Sequence, residues 1–162
     1  MNIARIIFSA LAVSLLASAG AWADDDHHRS QITAPKNALY QSECASCHMA
    51  YPPHLLGAAA WGKLMGNLKN HFGTNASLDA QDQKNITLFL QAHAGERGTS
   101  PASSAAQNSI RITETRYFLR KHDEISATVF KRKSIGGAWN CIACHRGAER
   151  GDFDEDAVKI PR

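Results

Sequence analysis

Apolar residues recur at helical spacing in the first hundred residues of the chain. One stripe, which follows a helical period over residues 58–71, consists of Trp61, Leu64, Met65, Leu68, His71 and Phe72. A second stripe, in residues 78–93, consists of Ile86, Phe89, Leu90 and His93. Steps of three and four place such residues on one face of a helix. Together with a shorter segment that follows Pro35, at residues 36–48, the pattern predicts three helices that share an apolar core.

The rest of the chain has a different composition. Residues 95–109 are small and polar without an apolar period, which predicts a linker. Residues 110–162 are rich in charge and hold few large apolar side chains. About fifty residues with so little to bury are marginally stable alone. The sequence therefore predicts a mainly α protein, with a first domain at 36–94 and a small, loop-rich second domain at 110–162 whose core a bound group completes.

The N-terminus has the pattern of a secretory signal. Arg5 supplies the positive start, residues 6–17 form an apolar run, and Ala21-Trp22-Ala23 matches a small-x-small cleavage site. The apolar run is shorter than the ~20 residues that a membrane span requires. We therefore expect residues 1–23 to be a signal peptide cleaved after Ala23, with no transmembrane segment in the mature chain. The polar residues 24–35 are expected to form a flexible leader.

All four cysteines occur in two copies of the motif Cys-x-x-Cys-His, at residues 44–48 and 141–145. Two thiols three positions apart lie on one side of a helical turn, where each can add to a vinyl group on one haem edge. The imidazole of the next residue can then bind the iron. The motifs predict two covalently attached, thioether-linked haem c groups. The residues that would hold them are Cys44, Cys47, Cys141 and Cys144 for the thioethers and His48 and His145 for the irons.

Paired cysteines have two other common uses, a four-thiolate zinc site and a pair of disulfides. A zinc site does not require a histidine directly after the second cysteine of both pairs. A disulfide framework would not leave every cysteine in a Cys-x-x-Cys pair. Both features of the motif favour haem.

The charge balance bears on partners and location. Without residues 1–23, 17 Lys and Arg oppose 15 Asp and Glu, a net charge of +2, because Arg5 is the one charged residue that is removed. Such a balance argues against a nucleic-acid partner. Covalent haem attachment takes place outside the cytoplasm, so the signal and the motifs together predict a periplasmic protein.

The ligand opposite each axial histidine separates an electron carrier from an enzyme or gas binder. A methionine there raises the reduction potential, a second histidine keeps it lower, and an open position admits a small molecule. In the first half His54, His71, His93 and Met65 are candidates. His71 and His93 each end an apolar stripe, so periodicity alone does not choose between those two. In the second half His122 is the one histidine besides His145, and no methionine occurs there.

The motifs around these residues resemble those of the small dihaem cytochromes c. The resembling segments are C-x-x-C-H-M-A-Y-P-P at 44–53, W-x-x-L-M at 61–65, H-F-G-x-N-A-S-L at 71–78, I-T-E-T at 112–115, R-K-H at 120–122 and N-C-x-x-C-H at 140–145. The resemblance implies a class I cytochrome c-like helical domain followed by a small second haem domain. It also implies bis-histidine ligation at both irons, with His71 and His122 as the distal ligands.

The resemblance further implies a non-enzymatic electron shuttle. Its partners would be redox proteins, with a membrane-bound b-type cytochrome as donor and a small oxygen-binding monohaem cytochrome as acceptor. Residues 111–133 carry seven cations against three acidic residues, a charge that can steer an acidic partner or neutralise haem propionates. The alternative function is a haem enzyme or gas-binding protein, peroxidase-like or oxygen-binding, with one open coordination site.

Overall fold

The computed structural model of the chain describes residues 35–95 and 109–162. The predicted signal peptide, nearly all of the predicted leader and residues 96–108 of the predicted linker lie outside these ranges. The division into two domains at this linker stays a prediction.

The described residues are mainly helical, as the sequence predicts, and contain no β-strand. The α-helices are α1 Ala38–Cys44, α2 Ala58–Met65, α3 Ala80–Ala92, α4 Arg116–Lys121 and α5 Ala127–Phe130. Single turns of 3₁₀ helix occur at Pro53–Leu55, Leu68–Asn70, Ile112–Glu114, Cys141–Ala143, Ala148–Arg150 and Glu155–Ala157. None of the helices in the described ranges is long and apolar enough to cross a membrane.

Side-chain caps fix where three of these helices begin. Asn37 accepts a hydrogen bond from the Tyr40 backbone N–H ahead of α1, at 2.9 Å. Asp79 and Thr115 cap α3 and α4 in the same way. Each cap satisfies a backbone donor that the first helical turn leaves without a partner.

Two helices are shorter than the apolar stripes predict. The segment at 36–48 is helical only to Cys44, and the segment at 58–71 ends its α-helix at Met65. Gly66 follows Met65, and glycine is a poor helix former. A 3₁₀ turn then continues the chain, and Leu68 still reaches the core. The stripe therefore correctly predicts burial but not the helix length.

The apolar core lies in the first half of the chain, where α2 packs against α3 and α1 lies beside them. Its buried residues are Tyr40, Leu56, Ala60, Trp61, Leu64, Met65, Leu68, Ile86 and Leu90. The Gln83 amide donates to the Met65 carbonyl at 2.6 Å and so closes the C-terminal end of α2. These contacts give the first half a core made of its own side chains.

The second half has much less to bury. Among residues 109–162 the buried apolar side chains are Ile135 and Ala148. Ile110 and Ile112 pack against the core of the first half instead. The second half thus buries few apolar side chains, and three of its aromatic rings, Phe118, Phe130 and Phe153, lie beside His122 and His145.

Candidate haem sites

The first Cys-x-x-Cys-His motif begins at the last residue of α1. The Ala45 N–H donates to the Gln41 carbonyl at 3.0 Å, and the chain then turns through Cys47 to His48. The Nδ1 atom of His48 lies 2.7 Å from the Met49 carbonyl oxygen. Because a carbonyl only accepts, this contact places the proton on Nδ1 and leaves the lone pair on Nε2.

The second motif folds as a tight turn of its own. Cys141–Ala143 is 3₁₀, and the N–H groups of Cys144 and His145 both donate to the Cys141 carbonyl, at 3.2 and 2.8 Å. The Asn140 amide donates to the Ile135 carbonyl at 2.8 Å and anchors the turn from its N-terminal side. The turn holds His145 one helical turn from the first thiol.

His71 is held by a two-residue reverse turn rather than by a helix. The N–H and C=O groups of His71 and Thr74 bond to each other at 2.8 and 3.0 Å. Phe72 and Gly73 between them have φ values of 53° and 97°, which is the pattern of a type I′ turn. Glycine adopts this conformation readily, whereas phenylalanine does so at a cost. The turn brings the Phe72 ring against its neighbour, with 4.8 Å between the ring centres of His71 and Phe72 and a tilt of 55° between their planes.

The structure brings His48 and His71 together. Their ring centres are 6.1 Å apart and their planes are 26° from parallel. Two imidazoles on opposite sides of one metal ion, each with a metal–nitrogen bond of about 2 Å, have ring centres about 6 Å apart. The spacing of this pair therefore suits an iron between them.

His122 and His145 form a second pair with the same spacing. Their ring centres are also 6.1 Å apart, but their planes differ by 80°. His122 follows α4, and its Nδ1 atom lies 2.9 Å from the Phe118 carbonyl oxygen, which again leaves Nε2 free. The Phe118 ring stacks on His122 at 4.0 Å, and Phe153 lies 5.4 Å from the His145 ring.

One histidine at each site has a lowered pKa, which favours its neutral form. Burial lowers the pKa of His71, and the neighbouring His48 lowers it further. Burial and His122 likewise lower the pKa of His145, against an opposing effect of Asp152. The neutral imidazole is the form that binds a metal ion.

Burial raises the pKa of three thiols, those of Cys44, Cys141 and Cys144. Burial raises the pKa of Cys44 to about 11, with a smaller contribution from the carboxylate of Glu43. Burial raises the pKa of Cys141 to about 11 as well, and that of Cys144 in the same direction. All four cysteines are free, and no cluster of three or more metal-binding side chains occurs within residues 35–95 and 109–162. This arrangement does not favour the zinc or disulfide alternatives.

The other candidates for the first distal ligand lie elsewhere. His93 is solvent-exposed at the C-terminal end of α3, where its ring contacts Phe89 at 5.0 Å. Met65 is buried in the apolar core. His54 is half-buried in the 3₁₀ turn Pro53–Leu55, and its Nε2 atom is buried without a hydrogen-bond partner. None of these three shows the ring contact with His48 that His71 makes.

Comparison with known proteins identifies the family. The family model described as dihaem cytochrome c matches residues 40–153. The chain belongs to the dihaem cytochrome c family. A comparison with curated proteins finds no match.

Solved structures agree with this assignment. A dihaem cytochrome c from Shewanella baltica OS155 is 45% identical, with a TM-score of 0.66, over 78% of this chain and 94% of that one. Two structures of the dihaem cytochrome c from Rhodobacter sphaeroides are 42% and 40% identical, with TM-scores of 0.63 and 0.66. They cover 74% and 75% of this chain and 99% of their own.

The cofactors of the cytochrome are therefore two haem c groups, and its four cysteines are present for thioether attachment. The residues at both sites fit such a group. Two histidine pairs have the spacing of opposed ligands.

Sequence reasoning missed the aromatic residues that surround the histidines. Tyr51 stacks on His48 with ring centres 4.8 Å apart, and Phe118 stacks on His122. Tyr51 lies three residues after His48 and Phe118 lies four residues before His122. The short distance in sequence between each aromatic residue and a predicted histidine ligand was the available signal. That distance does not show which of the nearby aromatic residues contacts the histidine.

Proposed function

We propose that this dihaem cytochrome c is a non-enzymatic electron-transfer protein with two bis-histidine haems. In the proposal His48 and His71 bind one iron, and His145 and His122 bind the other. The observation that carries it is the equal spacing of 6.1 Å between ring centres in two separate histidine pairs. Each haem supplies a reversible one-electron couple, and electron exchange oxidises one iron as another is reduced, without transfer of atoms.

The cysteines attach the haems in this proposal. Cys44 and Cys47 serve the first haem, and Cys141 and Cys144 serve the second. Each thiol adds across a vinyl group, so that the sulfur bonds to one vinyl carbon and the thiol hydrogen ends on the other. The raised pKa values of Cys44 and Cys141 keep them as thiols, the form in which this hydrogen is still present.

The protein's own groups tune the two sites. The Met49 and Phe118 carbonyls hold His48 and His122 through Nδ1, so that Nε2 of each would be available to bind an iron. Aromatic rings contact the imidazoles at both sites, namely Tyr51 and Phe72 at the first and Phe118 and Phe153 at the second. With His71 and His122 as distal ligands, neither iron would have an open position for a substrate, which favours electron transfer over the enzyme or gas-binding alternative.

The surface charge supports docking to an acidic redox partner. Most cations of residues 111–133 are solvent-exposed, Arg116, Arg120 and Arg132 among them. Two of these charges are balanced locally, because Arg111 pairs with Glu114 at 3.4 Å and Lys121 pairs with Glu155 at 2.7 Å. A membrane b-type cytochrome as donor and an oxygen-binding monohaem cytochrome as acceptor are our candidates.

The proposal includes the location and layout of the mature chain. Residues 1–23 direct export to the periplasm and are removed, residues 36–94 form the first haem domain, and residues 110–162 form the second. The thin apolar core of the second half supports a domain built around its haem.

Rapid-mixing kinetics test the function. We expect the holoprotein to exchange electrons quickly with small redox dyes and to turn over peroxide only weakly. His71→Ala and His122→Ala should each raise peroxide turnover, because each opens one distal position. Slow dye reduction together with strong native peroxide turnover would contradict electron transfer as the function.

A further inference from the structure

We infer that Tyr51 is a positioning residue that fixes the second haem-binding segment against the first and thereby sets the coupling between the two haems. The inference rests on the proposed electron-transfer function, since it concerns how the two sites act together.

The side chain of Tyr51 contacts both sites. At one end its ring stacks on His48, with ring centres 4.8 Å apart and planes 26° from parallel. At the other end its hydroxyl donates to the Trp139 carbonyl at 2.7 Å, across 88 residues of sequence. Trp139 lies two residues before Cys141 and its own carbonyl accepts the Cys141 N–H. The side chain of Tyr51 therefore connects His48 of the first site with the attachment segment of the second site.

The position of Tyr51 is itself fixed. Its backbone carbonyl accepts a hydrogen bond from the buried Tyr40 hydroxyl at 2.9 Å, which ties it to the core of the first half. The following Pro52 limits its backbone to extended conformations. Burial raises the pKa of Tyr51, and the nearby Cys141 raises it further, so the hydroxyl keeps its proton and remains a donor.

A second contact between the halves lies beside the other ligand of the first site. The Phe72 ring contacts His71 in a tilted arrangement, and the guanidinium of Arg111 lies 4.1 Å from the centre of the Phe72 ring. Each histidine of the first site is thus covered by an aromatic ring that also contacts the second half. Of these two contacts, the one from Tyr51 is made to Trp139, two residues before Cys141 in the second attachment segment.

The test compares two hydroxyl deletions in the holoprotein. Tyr51→Phe keeps the ring on His48 but removes the donor to Trp139. Tyr40→Phe removes the hydrogen bond to the Tyr51 backbone carbonyl, but Pro52 and the stacking on His48 still hold Tyr51, so its hydroxyl keeps the contact with Trp139. Loss of one hydrogen bond should speed amide exchange in residues 139–145 about fivefold in Tyr51→Phe and leave it unchanged in Tyr40→Phe.

A spectroscopic readout separates coupling from simple stability. Two neighbouring haems give a bisignate Soret circular dichroism signal that depends on their separation and relative orientation. We expect this signal to shrink in Tyr51→Phe and to keep its native size in Tyr40→Phe. Equal signals and equal exchange in the two variants would overturn the inference.

A second variant tests the other end of the side chain. Tyr51→Leu also removes the ring from His48, so the low-spin ferric resonance of the first haem should shift in this variant and not in Tyr51→Phe. An unshifted resonance in Tyr51→Leu would contradict the role of the ring. Slow dye reduction by the native protein would overturn the proposed function. It would not change the expected difference in amide exchange and Soret signal between Tyr51→Phe and Tyr40→Phe, which tests this inference separately.

Discussion

The imidazole planes of His122 and His145 are 80° apart, close to perpendicular. Those of His48 and His71, at the same ring separation, are only 26° apart. A ligated imidazole donates π density into the iron d orbital that is perpendicular to its ring plane. Nearly parallel rings therefore split the two iron π orbitals, whereas perpendicular rings keep them close in energy.

The first prediction concerns the ferric resonances that follow from these angles. The holoprotein should show two low-spin signals, a rhombic one from the His48–His71 haem and a strongly anisotropic one from the His122–His145 haem. Electron paramagnetic resonance of the fully oxidised protein at low temperature measures both. Two identical rhombic signals would contradict the difference between the sites.

The second prediction concerns the distal ligands. His71→Ala and His122→Ala should each open one iron and create one high-spin haem that binds one carbon monoxide per chain. A carbon monoxide titration followed in the Soret band gives the stoichiometry. His93→Ala is the matched control, because His93 is an exposed histidine away from both pairs, and it should behave as the native protein does. If His93→Ala bound carbon monoxide and His71→Ala did not, His93 rather than His71 would be the distal ligand of the first haem.

The third prediction concerns the unequal dependence of the two halves on haem. Replacing Cys141 and Cys144 by Ala should unfold residues 110–162, because Ile135 and Ala148 are the buried apolar side chains there. Replacing Cys44 and Cys47 should leave much of the helix in the first half, which has a core of its own. Limited proteolysis with circular dichroism separates the outcomes. A protease-resistant C-terminal half without its haem would show that haem is not its core.

The fourth prediction concerns the pH dependence contributed by His54. Burial lowers the pKa of His54 below its usual value near 6.5. As the pH falls below that value, the unfolded chain takes up a proton that the folded protein resists, so the free energy of unfolding decreases. His54→Leu should therefore reduce the loss in Tm between pH 7.5 and pH 5.5. The exposed His93→Leu serves as control, and an equal loss in both variants would contradict the burial of His54.

The sequence predicted the local features of this protein well. The Cys-x-x-Cys-His motifs and the apolar stripes depend on spacings of a few residues, and the buried positions of Trp61, Leu64 and Leu68 follow from them. Helix ends were predicted less well. The apolar period of the sequence continues past Gly66, whereas the α-helix ends at Met65. His71 lies in a turn that requires Phe72 at positive φ, a conformation that no periodicity indicates.

Contacts between distant segments could not be predicted from the sequence at all. The hydrogen bond from Tyr51 to Trp139 and the stacking of Arg111 on Phe72 each depend on how the two halves meet. Ile110 and Ile112 are apolar residues that belong to the second half by their position in the sequence, yet they pack against the core of the first half. Such pairings arise from the packing of the whole chain, for which a single sequence carries no pattern.

The absorption spectrum of the native protein with and without carbon monoxide tests the central claim most directly. Two bis-histidine haems predict a low-spin spectrum in both oxidation states, no far-red ferric band of the kind that a methionine ligand gives, and no change on adding carbon monoxide to the reduced protein. Carbon monoxide uptake by half of the haems in the unaltered protein would contradict the claim and favour a gas-binding or catalytic site.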